Sequence, residues 1–196
     1  MIETLNNYNI TLFSASPRRK ELLEGIGLKF KVASLDVDET FPTGLTPIEA
    51  VKHISRQKLS GYSGQIGKRD IIITADTIVV VGEKILGKPL NRTHAIEMLA
   101  ELSGREHSVI TGFTITSYNS SICNHSETRV KFRKLTNDEI EYYVDNYKPY
   151  DKAGSYGIQE WIGYIGIEAI EGSFYNVMGL PVQLIYKELL GIINKI

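Results

Sequence analysis

Residues 71–81, Ile71-Ile72-Ile73-Thr74-Ala75-Asp76-Thr77-Ile78-Val79-Val80-Val81, constrain this chain more than any other stretch. β-branched side chains stiffen the backbone toward the pleated conformation, and an apolar run without alternation predicts a central strand covered on both faces. A carboxylate stands in the middle of it. Burying an unpaired charge there costs several kcal/mol, so Asp76 must be compensated. Either it is ion-paired structurally, or it lies at a strand end beside a cleft, where sites of α/β proteins collect, and holds a metal or a water. Thr77 offers a hydroxyl at the same place.

A second informative stretch is Leu12-Phe13-Ser14-Ala15-Ser16-Pro17-Arg18-Arg19. A strand-like run ends there in small residues and opens a helix, with Ser16 suited to the N-cap and Pro17 to the first turn. The N–H groups of the Ser14–Ser16 turn, the positive helix end and the fork-shaped donors of Arg18 and Arg19 make a phosphate cradle in outline.

The remaining elements are read from periodicity. Strands are expected at residues 10–13, 30–33 and 162–170, with an antiparallel pair at 107–117 and 121–133. Helices are expected at 17–26, from the Thr46-Pro47-Ile48-Glu49 capping box to about Lys58, at 93–102, from Thr136 to about Asn146, and from Pro181 to about 193. Residues 1–8 read as a polar extension without pattern. Two loops dense in glycine and polar groups, 151–159 and 172–181, invite close approach of a ligand. The acidic segment Asp36-Val37-Asp38-Glu39-Thr40 reads by itself as a solvated loop, and no linker or domain boundary is evident.

Several chemistries lose their usual signals. Gly82-Glu83-Lys84-Ile85-Leu86-Gly87-Lys88-Pro89 has P-loop spacing, but Pro89 stands where a Ser or Thr would hold magnesium. A hairpin turned at Gly82, with Lys88 just beyond it, is the better reading. Neither a Gly-x-Gly-x-x-Gly fingerprint nor a Gly-x-Ser-x-Gly elbow occurs. With 196 residues and a net charge of −1, the chain is a globular protein without a nucleic-acid-coating surface, and a small anionic ligand is expected. The single cysteine permits no internal disulfide, and no apolar run approaches the length of a membrane span, so a cytoplasmic protein without membrane or nucleic-acid partners is expected.

Six segments in order resemble the Maf family of nucleoside triphosphate pyrophosphatases. They are Ser14-Ala15-Ser16-Pro17-Arg18-Arg19, Ala75-Asp76-Thr77-Ile78-Val79, Gly87-Lys88-Pro89, Leu102-Ser103-Gly104 with His107-Ser108-Val109, Asp151-Lys152-Ala153-Gly154, and Gly172-Ser173 with Asn176-Val177 and Gly179-Leu180-Pro181. The resemblance implies an α/β fold of the inosine-triphosphatase-like type: an elongated mixed sheet flanked by helices, with a nucleotide cleft between two lobes. Residues 1–9 would be an N-terminal extension and 10–196 a single nucleotide pyrophosphatase domain. The implied reaction is hydrolysis between the α and β phosphates with a divalent metal, magnesium or manganese, and homodimerisation is a family expectation.

The resemblance assigns Asp76 as proton acceptor or metal-bound activator of water, and places Arg18, Thr77 and Gln159 where substrates are sorted. Glu39, Lys58 and Lys88 match charged cleft residues. Physical chemistry agrees with these roles. A triphosphate needs cations, for which Arg18, Arg19, Lys58 and Lys88 are suited, while Asp76 and Glu39 are hard oxygen ligands. The wording Asp-Lys-Ala-Gly-Ser-Tyr-Gly-Ile-Gln is similar to the dTTP and UTP branch, because the amide of Gln159 suits the carbonyl and N–H edge of uracil or thymine. Glu160-Trp161 departs from an expected glycine-rich continuation; Trp161 either stacks on a base or packs the loop. Two other readings stay open: a pyrophosphatase with broader pyrimidine or modified-nucleotide preference, and a nucleotide-binding regulator of cell division with little turnover.

Overall fold

The apolar run forms β3 (Asp70–Val81), buried over most of its length. The computed structural model describes residues 1–34, 37 and 40–194. Among these, seven strands form one mixed sheet in the order β2-β1-β3-β5-β6-β7, with β4 paired to β3. By contact density the chain divides into two compact units. One comprises Met1–Asp76, Thr111–Ser126 and Gly179–Ile196; the other comprises Thr77–Ile110 and Glu127–Met178. The chain passes from one unit to the other three times inside strands and once at Met178–Gly179, so no change of composition marks the division.

In the first unit, β1 (Asn9–Phe13) pairs in parallel with β2 (Phe30–Ala33) and with β3, placing Phe13 opposite Ala33 and Thr74. The β1–β2 crossover is α2 (Pro17–Gly25), which buries Leu22 and Leu23. Helix α3 (Pro47–Ser60) begins with the expected Thr46–Glu49 capping box. Its path is set by Gly112 in β5 (Glu106–Ser117), where an added Cβ would stand 2.7 Å from Val51 C=O. Only a residue without a side chain permits so close an approach of strand to helix. Residues 1–8 are more ordered than expected. Ile2–Leu5 form a short helix, α1, with Leu5 buried, and Asn6 accepts from Lys29 N–H while donating to Gly27 C=O. Met1, Ile2 and Leu5 in an octapeptide are too few to show a period that would reveal this. Helix α8 (Val182–Ile193) follows Pro181 as expected.

In the second unit, β4 (Lys84–Leu86) turns back on β3 at Gly82, with Val79 opposite Leu86, as the hairpin reading requires. Helices α4 (Arg92–Leu102) and α5 (Asn137–Tyr147) bury Leu99, Leu102, Ile140 and Tyr143 in a core that also takes Val79, Phe132, Tyr156 and Ile162. Strand β6 (Ser121–Phe132) pairs antiparallel with β7 (Ile167–Glu171). The expected strand at 162–170 is therefore half wrong, because its first part is the helix α6 (Trp161–Gly166). Short apolar runs do not separate helix from strand. Here Ile162 is buried, and a Cβ added at Gly166 would stand 3.1 Å from the Phe132 ring. The loop expected at 172–181 contains another short helix, α7 (Phe174–Met178), around the buried Asn176, which donates to Val109 C=O and Thr128 Oγ1 at 3.0 Å each.

His107 tests the integrity of this second core. Its Nε2 lies 2.7 Å from the Tyr156 hydroxyl, its ring stacks on Phe132, and its Nδ1 is buried without a partner among the described residues. Burial lowers its pKa from 6.5 to about 4. The unfolded chain therefore binds the extra proton between those values, so stability is complete above about pH 6.5 and falls as the pH drops toward 4. Urea unfolding across that window should lose on the order of 3 kcal/mol through this group, and His107→Gln should flatten the dependence.

Candidate active site

In the first unit, a hydroxyl anchors the turn that follows β1. Ser14 Oγ accepts from Ser16 N–H at 3.1 Å and from Arg19 Nη1 at 3.4 Å, while Ser14 N–H donates to Ala33 C=O. Ser16 occupies the N-cap of α2 as expected but makes no side-chain capping bond; Ser14 takes over that task for the turn. A cavity of about 310 Å³ opens here, lined by Ser14, Ser16, Pro17, Lys20 and Ser34 among others. Lys20 escaped notice in the sequence; one turn beyond Pro17, it lines this cavity and pairs with Glu24 at 3.6 Å.

The paired arginines differ. Arg18 is half-buried, whereas Arg19 is buried and donates from Nε to Gly179 C=O at 2.9 Å and from Nη1 to Ala75 C=O at 2.7 Å. Arg19 is thus the tie between the turn, β3 and the segment before α8. The sequence drew no distinction between the two arginines.

Asp76 is compensated by a lysine. Lys58 Nζ donates to Asp76 Oδ1 at 2.7 Å, and both side chains are mostly buried, at 14% and 13% exposure. The sequence builds this pair by two periodicities. Thr74 and Asp76 share a face of β3, and Ser55 and Lys58 share a face of α3. Thr74 Oγ1 donates to Ser55 C=O at 2.6 Å, and Ser55 Oγ shares a 3.0 Å hydrogen bond with Thr114 of β5. These bonds fix the helix against the strand one turn before Lys58. Lys58 Nζ also lies 3.4 Å from Ala75 C=O. Glu39 lies outside the described residues. Among them, no group of three or more His, Cys, Asp and Glu side chains converges as a metal site.

Thr77, Lys88 and Gln159 belong to the second unit. Thr77 is half-buried and directly follows Asp76 in β3; Lys88 is exposed beyond β4. The loops carrying Lys88 and Gln159 are joined, because Gly154 N–H donates to Gly87 C=O at 3.0 Å. Gly154 has φ +68 and a Cβ there would meet Val79 at 2.9 Å, which explains why glycine occupies it. Gln159 is half-buried, and its Oε1 is buried without a partner among the described residues. Trp161 packs beside the core of this unit, its ring centroid 4.8 Å from that of Tyr142.

The family described as Maf-like protein matches residues 9–192. The chain belongs to the Maf family. Maf relatives named dTTP/UTP pyrophosphatase match nearly its whole length. One from Bacteroides fragilis is 52% identical over 190 residues, covering 96% of this chain and 98% of its own. One from Parabacteroides distasonis is 50% identical over the same shares. One from Porphyromonas gingivalis is 48% identical over 192 residues, 96% of each chain. The fold described above is the α/β Maf architecture, and no helix among the described residues is long and apolar enough to cross a membrane.

Proposed function

We propose that this chain hydrolyses dTTP and UTP to the nucleoside monophosphate and pyrophosphate. The observation that carries the reading is the Lys58–Asp76 pair, a mostly buried carboxylate held in a strand by a mostly buried cation at 2.7 Å. A structural ion pair alone would gain little from such burial, because desolvation offsets most of the attraction. A general base for water gains a fixed position and charge.

In this reading, the turn N–H groups, Ser14, Ser16, Arg18 and Lys20 receive phosphate oxygens, and Arg19 keeps the turn in register while adding its charge. Lys58 and Lys88 offset the negative charge that develops as the anhydride breaks. Asp76 takes the proton of the attacking water. Thr77 and Gln159 sort the nucleoside. The amide of Gln159, with its oxygen lacking a partner, supplies one acceptor and one donor for the N–H and carbonyl edge of thymine or uracil. The names of the relatives support this substrate class.

A divalent cation, magnesium or manganese, belongs to this proposal. Magnesium characteristically needs only one or two protein carboxylates besides waters and substrate phosphates, so the donor set of Asp76, with Glu39 proposed as second ligand, fits. When bound, the cation supplies charge neutralisation and a more acidic water. The enzyme is proposed to work in the cytoplasm on free nucleotides.

The test is release of pyrophosphate and monophosphate from a panel of ribo- and deoxynucleoside triphosphates, with and without magnesium or manganese. Cation-dependent turnover of dTTP and UTP, at least about tenfold above CTP in kcat/KM, is expected. Preference for another base would overturn the assignment of Gln159, and tight binding without turnover would make the protein a nucleotide-binding regulator.

A further inference from the structure

Glu160, where the sequence leaves the expected glycine-rich wording, is built into the loop that carries Gln159. Its N–H donates to Gly157 C=O at 3.0 Å, closing a turn with Gln159 as the third residue, and its C=O accepts from Gly163 N–H at the start of α6. Its carboxylate reaches in two directions. Oε2 accepts from the Tyr143 hydroxyl, and Oε1 pairs with Lys152 Nζ at 3.0 Å. The Tyr143 hydroxyl in turn accepts from Gly157 N–H at 3.0 Å. One phenolic oxygen therefore holds both ends of the turn around Gln159. Tyr143 is anchored in the core of the second unit, and burial together with Glu160 raises its pKa, so the phenol stays protonated and donates. Lys152 is itself 8% exposed and also pairs with Asp151 at 2.8 Å, so the carboxylate of Glu160 has a buried counter-charge.

Uracil and thymine present an N–H flanked by carbonyls, whereas cytosine presents a ring acceptor beside an amino donor. A glutamine amide held in one orientation serves the first edge; a loosely held one turns over and serves the second as well. We propose that Glu160 and Tyr143 are positioning residues for base selection, holding Gln159 so that it discriminates thymine and uracil from cytosine. This rests on the assignment of Gln159 to the base.

The experiment measures kcat and KM for dTTP, UTP and CTP in the full chain and in Gln159→Ala, Tyr143→Phe, Glu160→Ala and Glu160→Gln, each checked for folding by thermal unfolding. Tyr143→Phe and Glu160→Ala should each lower the dTTP-to-CTP ratio of kcat/KM at least about tenfold, mainly through KM for dTTP, with kcat changed less than about threefold. Glu160→Gln keeps an acceptor oxygen for Tyr143 and should retain most of the ratio. Tyr143→Phe removes a single atom and keeps the ring in its core position, so it decides the matter where Glu160→Ala fails to fold. An unchanged ratio in Gln159→Ala overturns the base assignment and this proposal with it. A ratio lost in Gln159→Ala but kept in folded Tyr143→Phe and Glu160→Ala overturns the proposal alone.

Discussion

Asp76→Asn should lower kcat for dTTP hydrolysis at least about a hundredfold while nucleotide binding survives, the range over which a positioned general base contributes. Asparagine has nearly the shape of aspartate and keeps an oxygen for Lys58, so the 2.7 Å contact that pins the carboxylate can persist in altered form. The negative charge and the basic oxygen are what disappear. Titration calorimetry with a non-hydrolysable α,β-methylene analogue separates the two effects: affinity should stay within about tenfold of the parent while turnover collapses. Lys58→Ala is the companion variant. It leaves Asp76 buried without its cation, so a stability loss accompanies the loss of rate, as breaking a buried pair does. Parental turnover in Asp76→Asn would remove this carboxylate from the chemistry and leave the Lys58 pair as a structural bond.

Gly163→Ala should be the most damaging single methyl group in the second unit. A Cβ at position 163 would stand 1.8 Å from Ile158 C=O and 2.6 Å from its carbonyl carbon, a backbone obstacle that cannot rotate aside. Relief requires α6 to move away from the turn at residues 157–160. Overpacking of this kind costs about 2–4 kcal/mol, and in a protein of this size that lowers Tm by roughly 5–15 °C. Gly191→Ala in α8 is the control, since nothing lies within 4 Å of its Cβ and alanine is the better helix former. It should leave Tm unchanged or raise it slightly. Because Ile158 directly precedes Gln159, the Gly163→Ala enzyme should also show a raised KM for dTTP. An unaltered Tm would mean that α6 is not seated on Ile158 C=O.

The parts of this fold carried by strong local signals were legible. The apolar run of β3, the capping boxes at Thr46 and Thr136 and the turn at Gly82 each state their structure within a few residues. Residues 162–170 were misread because so short an apolar run does not separate helix from strand, and the close seat of Gly166 against Phe132, 34 positions away, is tertiary. The division into two units has no signal, since three of its four crossings fall within continuous strands. At the site, the need to compensate Asp76 followed from its position in an apolar strand, but the identity of its partner did not. Eighteen residues separate Lys58 from Asp76, and only the packing of α3 on β3 through Ser55 and Thr74 joins them. The adjacent Arg18 and Arg19 look alike in sequence; a helix turns them about 100° apart, and only one is buried.

Arg19 also dictates when the turn after β1 can be finished. Its Nε bond goes to Gly179, 160 positions later in the chain. At synthesis rates of about 5–20 residues per second, the ribosome delivers that carbonyl roughly ten to thirty seconds after the arginine. Through that interval the nascent N-terminal half carries a guanidinium whose eventual place is buried and one of whose acceptors has not yet been made. The turn after β1 thus waits for a segment translated 160 residues later, and a chain that ends before Gly179 leaves the ribosome with that turn untied.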